Sequence, residues 1–508
     1  MKKIFFATIL MLLSLSAAKA QSIFDISGLN TPRLNGTARY MGMAGSFGAL
    51  GGDASAILDN PAALGIFRSN ELNFSTDIHS SITSTLWGTN AHRSLGYGKL
   101  IVPNFSWITN FMSNKEYGYL ASNFSFSFNR IKNFNRYVKL SHQGLEHSLT
   151  DLIADMTNGL YEKDLEYKKD IYDPFDNTKI AYLSVFGFDG YLIDPVVSGG
   201  TQWKSAVVGA PAAGYKLYES GHIDDYNFTY SGNVNDNFYF GLGLSLQTYS
   251  RFTNATYSEN FSNGDFSLTT RTNYSGTGVN MNFGVIARLL PGVRVGASLQ
   301  TPTYYSFHTT QKAELVSNVG AKKGSLTSPS TTWHYDYRSP LKAQLSAGFV
   351  IGSSAAINID YMLMVGRTQR YSLDEYPGLF NRENADFRNY ALSTHTLKVG
   401  AEVRVAKHAR LRGGFGYITA PMSEKATKSV LNTTAQTDME YFIDKAQWYA
   451  SGGFGLNFSN LFIDFAYVYN KNGQIFTPFE MNKSSIRGDV MNNNHHIVAT
   501  LAIKYGQK

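Results

Sequence analysis

The sequence predicts an all-β fold, a transmembrane antiparallel β-barrel of about fourteen strands, and three observations predict it. From residue 70 onward, short segments alternate strictly between apolar and polar or glycine residues, the period of a strand with two unlike faces. The connections between them alternate in length, short then long, as in outer-membrane barrels. After the first twenty residues no apolar run nears the ~20 residues that a membrane-spanning helix needs. A mean hydropathy of −0.21 suits a wall that turns only every second side chain to lipid.

The elements follow in order. Lys2-Lys3, the apolar run from Ile4 to Leu15, and Ala18-Lys19-Ala20 read as a secretory signal over residues 1–20, cleaved before Gln21. Residues 21–35 are polar and turn-rich and are expected to be extended or loosely held. Gly36 to Ser69 has too many small residues to build its own core. Gly42, Gly45, Gly48 and Gly51 recur every third residue, which places small groups on one side of a helix or of tight turns and lets backbones approach closely. Asn60-Pro61-Ala62 then forms a turn, because proline fixes φ and removes an N–H. Residues 21–69 are therefore expected to be a hatch that plugs a barrel built by residues 70–508.

Strands are placed near 70–82, 98–112, 116–131, 222–234, 236–256, 272–289, 293–309, 338–352, 355–371, 392–405, 409–421, 444–458, 460–471 and 493–506. The clearest alternations put Leu242, Leu244 and Leu246 opposite Gly241, Gly243 and Gln247. Leu397, Val399 and Val403 likewise stand opposite Lys398, Gly400 and Glu402. An even strand number with both ends at the short-turn side predicts periplasmic termini. The longest connection, 132–221, carries helix signals for an extracellular cap. Ser148-x-x-Asp151 resembles a capping box, and Leu149, Leu152, Ile153, Met156 and Leu160 fall on one face. A second apolar stretch, Ile180 to Tyr191, includes Phe186.

Composition excludes several chemistries. With no cysteine there is no disulfide framework, thiolate metal site or cysteine nucleophile. The net charge of +7 is modest for this length, and no basic cluster interleaved with aromatics points to nucleic acid. The 32 Tyr and 34 Phe against 5 Trp fit aromatic girdles at the two membrane interfaces. No G-x-S-x-G elbow is present. His79-x-Ser81 puts His and Ser on one strand face, a weak hydrolase signal. His495 and His496 point to opposite faces, which argues against one shared metal. No cofactor is implied.

The stretch GTARYMGMAGSFGALGGDASAILDNPAALG, the preceding signal, and about fourteen strands with helices in a large outer loop resemble the FadL/OMPP1/TodX outer-membrane transporters, in the form found in Bacteroidetes. The motif match is specific over residues 36–68, with Asn60, Pro61 and Ala62 at the hatch motif, and architectural elsewhere. The resemblance implies an outer-membrane channel for long-chain fatty acids or other hydrophobic compounds. In it a hatch shifts and the ligand leaves sideways through a gap at a kinked strand. Outer-membrane lipid and, during insertion, the barrel assembly machinery are the implied partners.

A hydrophobic ligand needs apolar surface, at ~0.8 kcal/mol per buried CH₂. Met41, Met43, Phe47, Leu50, Ile57 and Leu58 offer it in the hatch, and Leu152, Met156 and Phe186 in the outer cap; each also suits plain packing. Arg39, Arg68, Lys398 and Arg404 are candidates for a fatty-acid carboxylate, unless lumen acids such as Glu402, Asp464 or Asp360 pair with them. Pro103 and Gly118 are positioned to bend early strands near a wall opening. A competing reading makes the barrel an accessory component of a secretion system that binds exported proteins through its long outer loop.

Overall fold

The computed structural model describes residues 21–32, 34–428, 434–481 and 486–506. The signal segment lies outside them. Fourteen strands close into one antiparallel barrel. They are β1 (Asn70–Trp87), β2 (Asn90–Met112), β3 (Tyr119–Asn133, resumed as Arg136–His142), β4 (Ala212–Val234), β5 (Phe238–Phe261), β6 (Gly264–Leu290) and β7 (Val293–Gln300 and Tyr304–Val319). The circuit continues through β8 (Lys322–Thr327, Thr331–Arg338 and Leu341–Ile351), β9 (Ala355–Val365 and Arg370–Ser372), β10 (Thr394–Ala406), β11 (Ala409–Ile418), β12 (Tyr441–Phe458), β13 (Leu461–Thr477) and β14 (Gly488–Tyr505). β14 closes the circuit on β1, from Asn70 opposite Tyr505 to Trp87 opposite Gly488.

The alternation has the sense of a membrane barrel. On β1, Leu72, Phe74 and Ile78 are exposed, while Asn73, Ser75, Asp77, His79 and Ser81 are buried in the lumen. Leu242, Leu244 and Leu246 face out on β5 and Gln247 faces in; on β10, Leu397 and Val399 face out and Lys398 and Glu402 face in. A soluble sandwich would bury the apolar face instead.

Several expected long connections turn out to be strand. β1 and β2 meet at Gly88-Thr89, β5 and β6 at Ser262-Asn263, and β7 and β8 at Gly320-Ala321. Beyond the bilayer both faces of a strand are wet, so pairing continues there without an apolar signature. The connections that stay long follow β3, β9, β11 and β13.

The β3–β4 connection forms the cap from α2 (Leu149–Thr157), α3 (Glu162–Leu165) and α4 (Tyr182–Asp189). Ser148 and Asp151 form a capping box on α2. The cap's apolar faces pack on one another and on Trp87, Val138 and Leu140. Met156 and Phe186 are buried and Leu152 is half-buried. Of the three cap residues expected to offer apolar surface to a ligand, two are thus covered by the cap's own packing and one is partly open.

The lipid face gives a direct test. Leu244→Arg is expected to lower the unfolding free energy of the barrel in bilayers by up to ~2–4 kcal/mol, measured by urea titration in liposomes. A change below about 0.5 kcal/mol would place Leu244 away from acyl chains.

Candidate functional site

The hatch fills the short-turn half of the lumen. Its helix, α1 (Ala38–Gly42), starts at Thr37, whose side chain accepts from the Tyr40 amide and donates to Asp53 at 2.9 Å. The rest is tight turn, and the four glycines divide into two jobs. Gly45 and Gly51 sit at φ +70 and +60, where a side chain is strained. Gly48 lies where a Cβ would run into Ser346, Gln344 and Asp360 of the wall. Gly42 has ordinary clearance. Spacing by three thus reflects turn geometry more than one helix face.

The wall is cut to receive this backbone. A Cβ on Gly400 or Gly414 would strike the Met43 backbone, one on Gly296 the Gly48 carbonyl, and one on Gly241 or Gly284 the Asn60–Pro61 turn. These glycines lie on the lumen side of strands whose other side is apolar. Asn60 Oδ1 accepts from the Ala62 amide at 3.1 Å, and its Nδ2 donates to the carbonyls of Gly48 (2.8 Å) and Val285 (3.2 Å). One side chain therefore closes the turn and ties it both to the hatch and to β6.

Buried charges complete the dock. Asp360 accepts from the amides of Phe47 (3.0 Å) and Gly48 (3.2 Å). Lys398 Nζ pairs with Asp59 at 3.0 Å, and Tyr40 donates to the same carboxylate. Glu402 accepts from Arg39 (3.2 Å), Arg410 (2.6 Å) and Arg412 (2.6 Å), and Arg412 reaches Asp464. Arg68 pairs with Asp236 in a short turn. Arg404 does not face the lumen interior: it is exposed at the rim, 3.3 Å from Ser353. Of the four carboxylate-binding candidates, Arg39, Arg68 and Lys398 are engaged in holding the hatch. Met41, Met43 and Phe47 are fully covered and Leu50 nearly so, within the cluster that seats the hatch.

The expectation for residues 21–35 is overturned. Ile23, Phe24 and Ile26 are buried in an aromatic chamber above the hatch. Its walls are Tyr249, Tyr274, Tyr305, Phe307, Tyr335, Tyr337 and Tyr371, and Phe24 packs on Tyr441 with centroids 4.3 Å apart and the rings tilted by 33°. The aromatic excess of the composition is thus partly internal. Tyr371 donates to the Ser22 carbonyl at 3.0 Å, and Arg251 to the Asp25 carbonyl at 2.8 Å. The one signal available was the apolar trio at 23, 24 and 26, directly after the expected cleavage point.

Between β2 and β3 the barrel is only partly laced. β2 pairs with β1 from Asn90 to Ile108 but with β3 only from Asn104 to Met112. Pro103, which has no N–H, stands directly before the first paired residue. Beyond it β3 breaks at Phe134-Asn135, and side chains span the seam: Lys99 Nζ to Asn135 Oδ1 at 2.8 Å, and His92 to Ser141 at 2.7 Å. Gly118, at φ +89, belongs to the short turn and takes no part in the seam.

No family model matches the chain, and no curated protein matches its sequence. Solved structures do match. The Pseudomonas putida toluene transporter TodX aligns over 94% of this chain and 100% of its own, at 10% identity and TM-score 0.50. A Pseudomonas aeruginosa FadL homologue aligns over the same shares at 12% identity and TM-score 0.54. The fold is that of the FadL/TodX barrels. Within this FadL-type fold the Asp77–His496 contact, at 2.7 Å, places a carboxylate and an imidazole together in the lumen. His495 points outward to Tyr467, so the two adjacent histidines take opposite faces.

Two predictions follow from this geometry. Asp360→Ala removes the acceptor for two buried amides, and Gly400→Val puts side-chain atoms where the hatch backbone lies. Each should loosen the hatch by about 1–3 kcal/mol, read in planar bilayers as roughly tenfold or more open-channel conductance events. Unchanged conductance in both would mean that the hatch is not held by these contacts. The N-terminal segment should respond to pH. Burial first, then Asp438 against the opposing Lys428, pushes the Asp25 carboxyl up to about 6. Burial and Asp438 push Glu440 up to about 7. A carboxyl raised in the docked state stabilises docking fully below its ordinary pKa near 4 and loses that contribution as pH rises through the shifted value. Hydrogen exchange at Ile23–Ile26, corrected for intrinsic rates, should therefore be slower at pH 5 than at pH 8. Asp25→Asn should flatten the difference.

Proposed function

We propose that the chain is an outer-membrane channel for hydrophobic compounds, long-chain acids or aromatic hydrocarbons, in which ligand displaces the N-terminal segment and hatch. The termini and short turns then face the periplasm, and the helical cap faces outward. The observation that carries this reading is the aromatic chamber, occupied by the chain's own Ile23, Phe24 and Ile26 and continuous with a hatch-closed lumen. A site that holds three of the chain's apolar side chains among stacked rings suits an apolar solute of similar size.

The fold supports the reading, since TodX is described as a toluene transporter. The partly laced β2–β3 seam supports a sideways exit. A solute leaving there enters the bilayer without crossing the hatch, which spares the polar interface below. Between β2 and the resumed β3, two side-chain bonds stand in place of a ladder, while Thr85 of β1 donates to the Lys139 carbonyl at 2.6 Å and Val138 and Leu140 pack on Trp87. Two exposed or half-exposed hydrogen bonds contribute roughly 0.5–1.5 kcal/mol each.

The test is uptake. Cells lacking the chain should accumulate radiolabelled oleate or toluene several-fold more slowly than the parent. Complementation with a chain lacking Phe134 and Asn135, so that β3 runs unbroken along β2, should fail to restore the rate. A deletion strain as fast as its parent for both compounds would overturn the proposal.

A further inference from the structure

Between the hatch and the aromatic chamber lies a second cavity, of about 210 Å³, and its lining is unlike either neighbour. Seven asparagines and two glutamines face it, with His79 and His496. Most come from the lumen face of β12, β13 and β14 and from the break in β3; His79 comes from β1 and Asn35 from the segment before α1. Asn470, Asn472, Asn492 and Asn494 sit in paired registers on β13 and β14. A wall that only had to pass apolar solute has no use for nine carboxamides, since each polar group stripped of water without a partner costs free energy.

The cavity's charges are unevenly satisfied. Arg136 and Arg251 share Glu219, Lys445 pairs with Asp489, and His496 with Asp77. Lys132 donates to the hydroxyl of Thr31 at 2.6 Å; Asp444, which accepts from Gln474, and Glu219 attract it from farther off, and among the described residues it forms no salt bridge. Two lining amides also hold buried atoms with no hydrogen-bond partner among the described residues, the Asn133 nitrogen and the Asn472 oxygen. One is a donor and the other an acceptor. Lys132 and Asn133 directly precede the β3 break, so the cation and the free donor lie where the cavity meets the β2–β3 seam.

We propose that this cavity is a head-group site for an anionic amphiphile whose head carries amide or hydroxyl groups beside its acid. It rests on the transport reading and narrows it. Lys132 takes the acid, Asn133 donates to a head-group carbonyl or hydroxyl, and Asn472 accepts from its N–H or O–H. The tail lies upward among Phe134 and the tyrosines. An unadorned hydrocarbon satisfies none of the three polar groups, and a simple fatty acid satisfies only Lys132. A site built to hydrogen-bond a substrate group discriminates against the analogue that lacks it, because its own groups are left unpaired.

The test uses the purified full chain in nanodiscs and three probes, N-oleoylglycine, oleate and hexadecane, with binding followed by equilibrium dialysis of radiolabel. N-oleoylglycine should bind roughly tenfold or more tightly than oleate. The double variant Asn133→Leu, Asn472→Leu should bring it to the level of oleate and leave hexadecane unchanged. Lys132→Met should weaken both acids roughly tenfold and leave hexadecane unchanged. Heat-modifiable migration on gels checks that each variant keeps its barrel. Equal affinity of the wild type for the two acids, or variants that change nothing while hexadecane still binds, would make the cavity a water-filled passage and overturn this inference alone. Binding of none of the three probes would overturn the transport reading with it.

Discussion

In hydrocarbon, a backbone amide has no water to turn to, and the rest of this structure depends on that constraint. It forces the sheet to close, which β14 does on β1 over the whole length of both strands. It also fixes which face each side chain takes, since a strand whose edges are both paired can vary only across its faces. The outward face must be apolar. The inward face is free to be small, polar or charged, and the chain uses that freedom to shape a dock. Where β2 and β3 part beyond Asn104 the constraint is relaxed, and side chains of Lys99, Asn135, His92 and Ser141 take over from the ladder.

The hatch is held by two kinds of complementarity that act together. Missing side chains at Gly241, Gly284, Gly296, Gly400 and Gly414 let backbone meet backbone. At that distance Asp360 and the Asn60 amide reach main-chain groups that would otherwise be buried unpaired. Neither part suffices alone: the glycines supply room without direction, and the carboxylates supply direction only if the room exists. The ion pairs around Glu402 and Lys398 are weaker evidence for stability, because desolvating the partners offsets much of their attraction. They do make the seating specific, since a shifted hatch would leave several charges buried and unmatched. A ligand can move such a hatch only by as much as it prefers the open arrangement.

Much of this was legible from residues alone, and the limits are physical. The alternation at Leu242–Gln247 or Leu397–Glu402 shows strand and faces, because the period of two survives wherever one face meets lipid. Asn60-Pro61-Ala62 showed the hatch turn, because proline and asparagine are chosen by local geometry. The strand ends beyond the bilayer were not legible, since Thr, Asn and Tyr pair there without contrast between faces. The charge partners were only partly so: Arg39 and Lys398 could be named, with Glu402 and Asp360 as alternatives, but not their choice between wall and ligand. Residues 21–35 misled because their polar, turn-rich composition hides an apolar trio. Three side chains give no period, yet three suffice to anchor a segment once tyrosines from six strands surround them.

That anchor changes how the lumen is understood. Ile23, Phe24 and Ile26 occupy the aromatic chamber much as a solute would, and the same chain begins the plug at Ala38. In the proposed channel, a solute that competed for the rings would pull on the segment that leads directly into α1, through Leu34 and Thr37. Thr37 caps that helix and binds Asp53, so such a pull would act on a residue that ties two parts of the hatch together. The polar cavity lies alongside this stretch, with Thr31, Pro32, Leu34 and Asn35 forming part of its lining. A molecule with its tail among the rings and its head beside Lys132 would touch the segment at both ends of its path. Displacement as proposed would need no long-range relay, because the ligand would replace the chain's own contacts one after another.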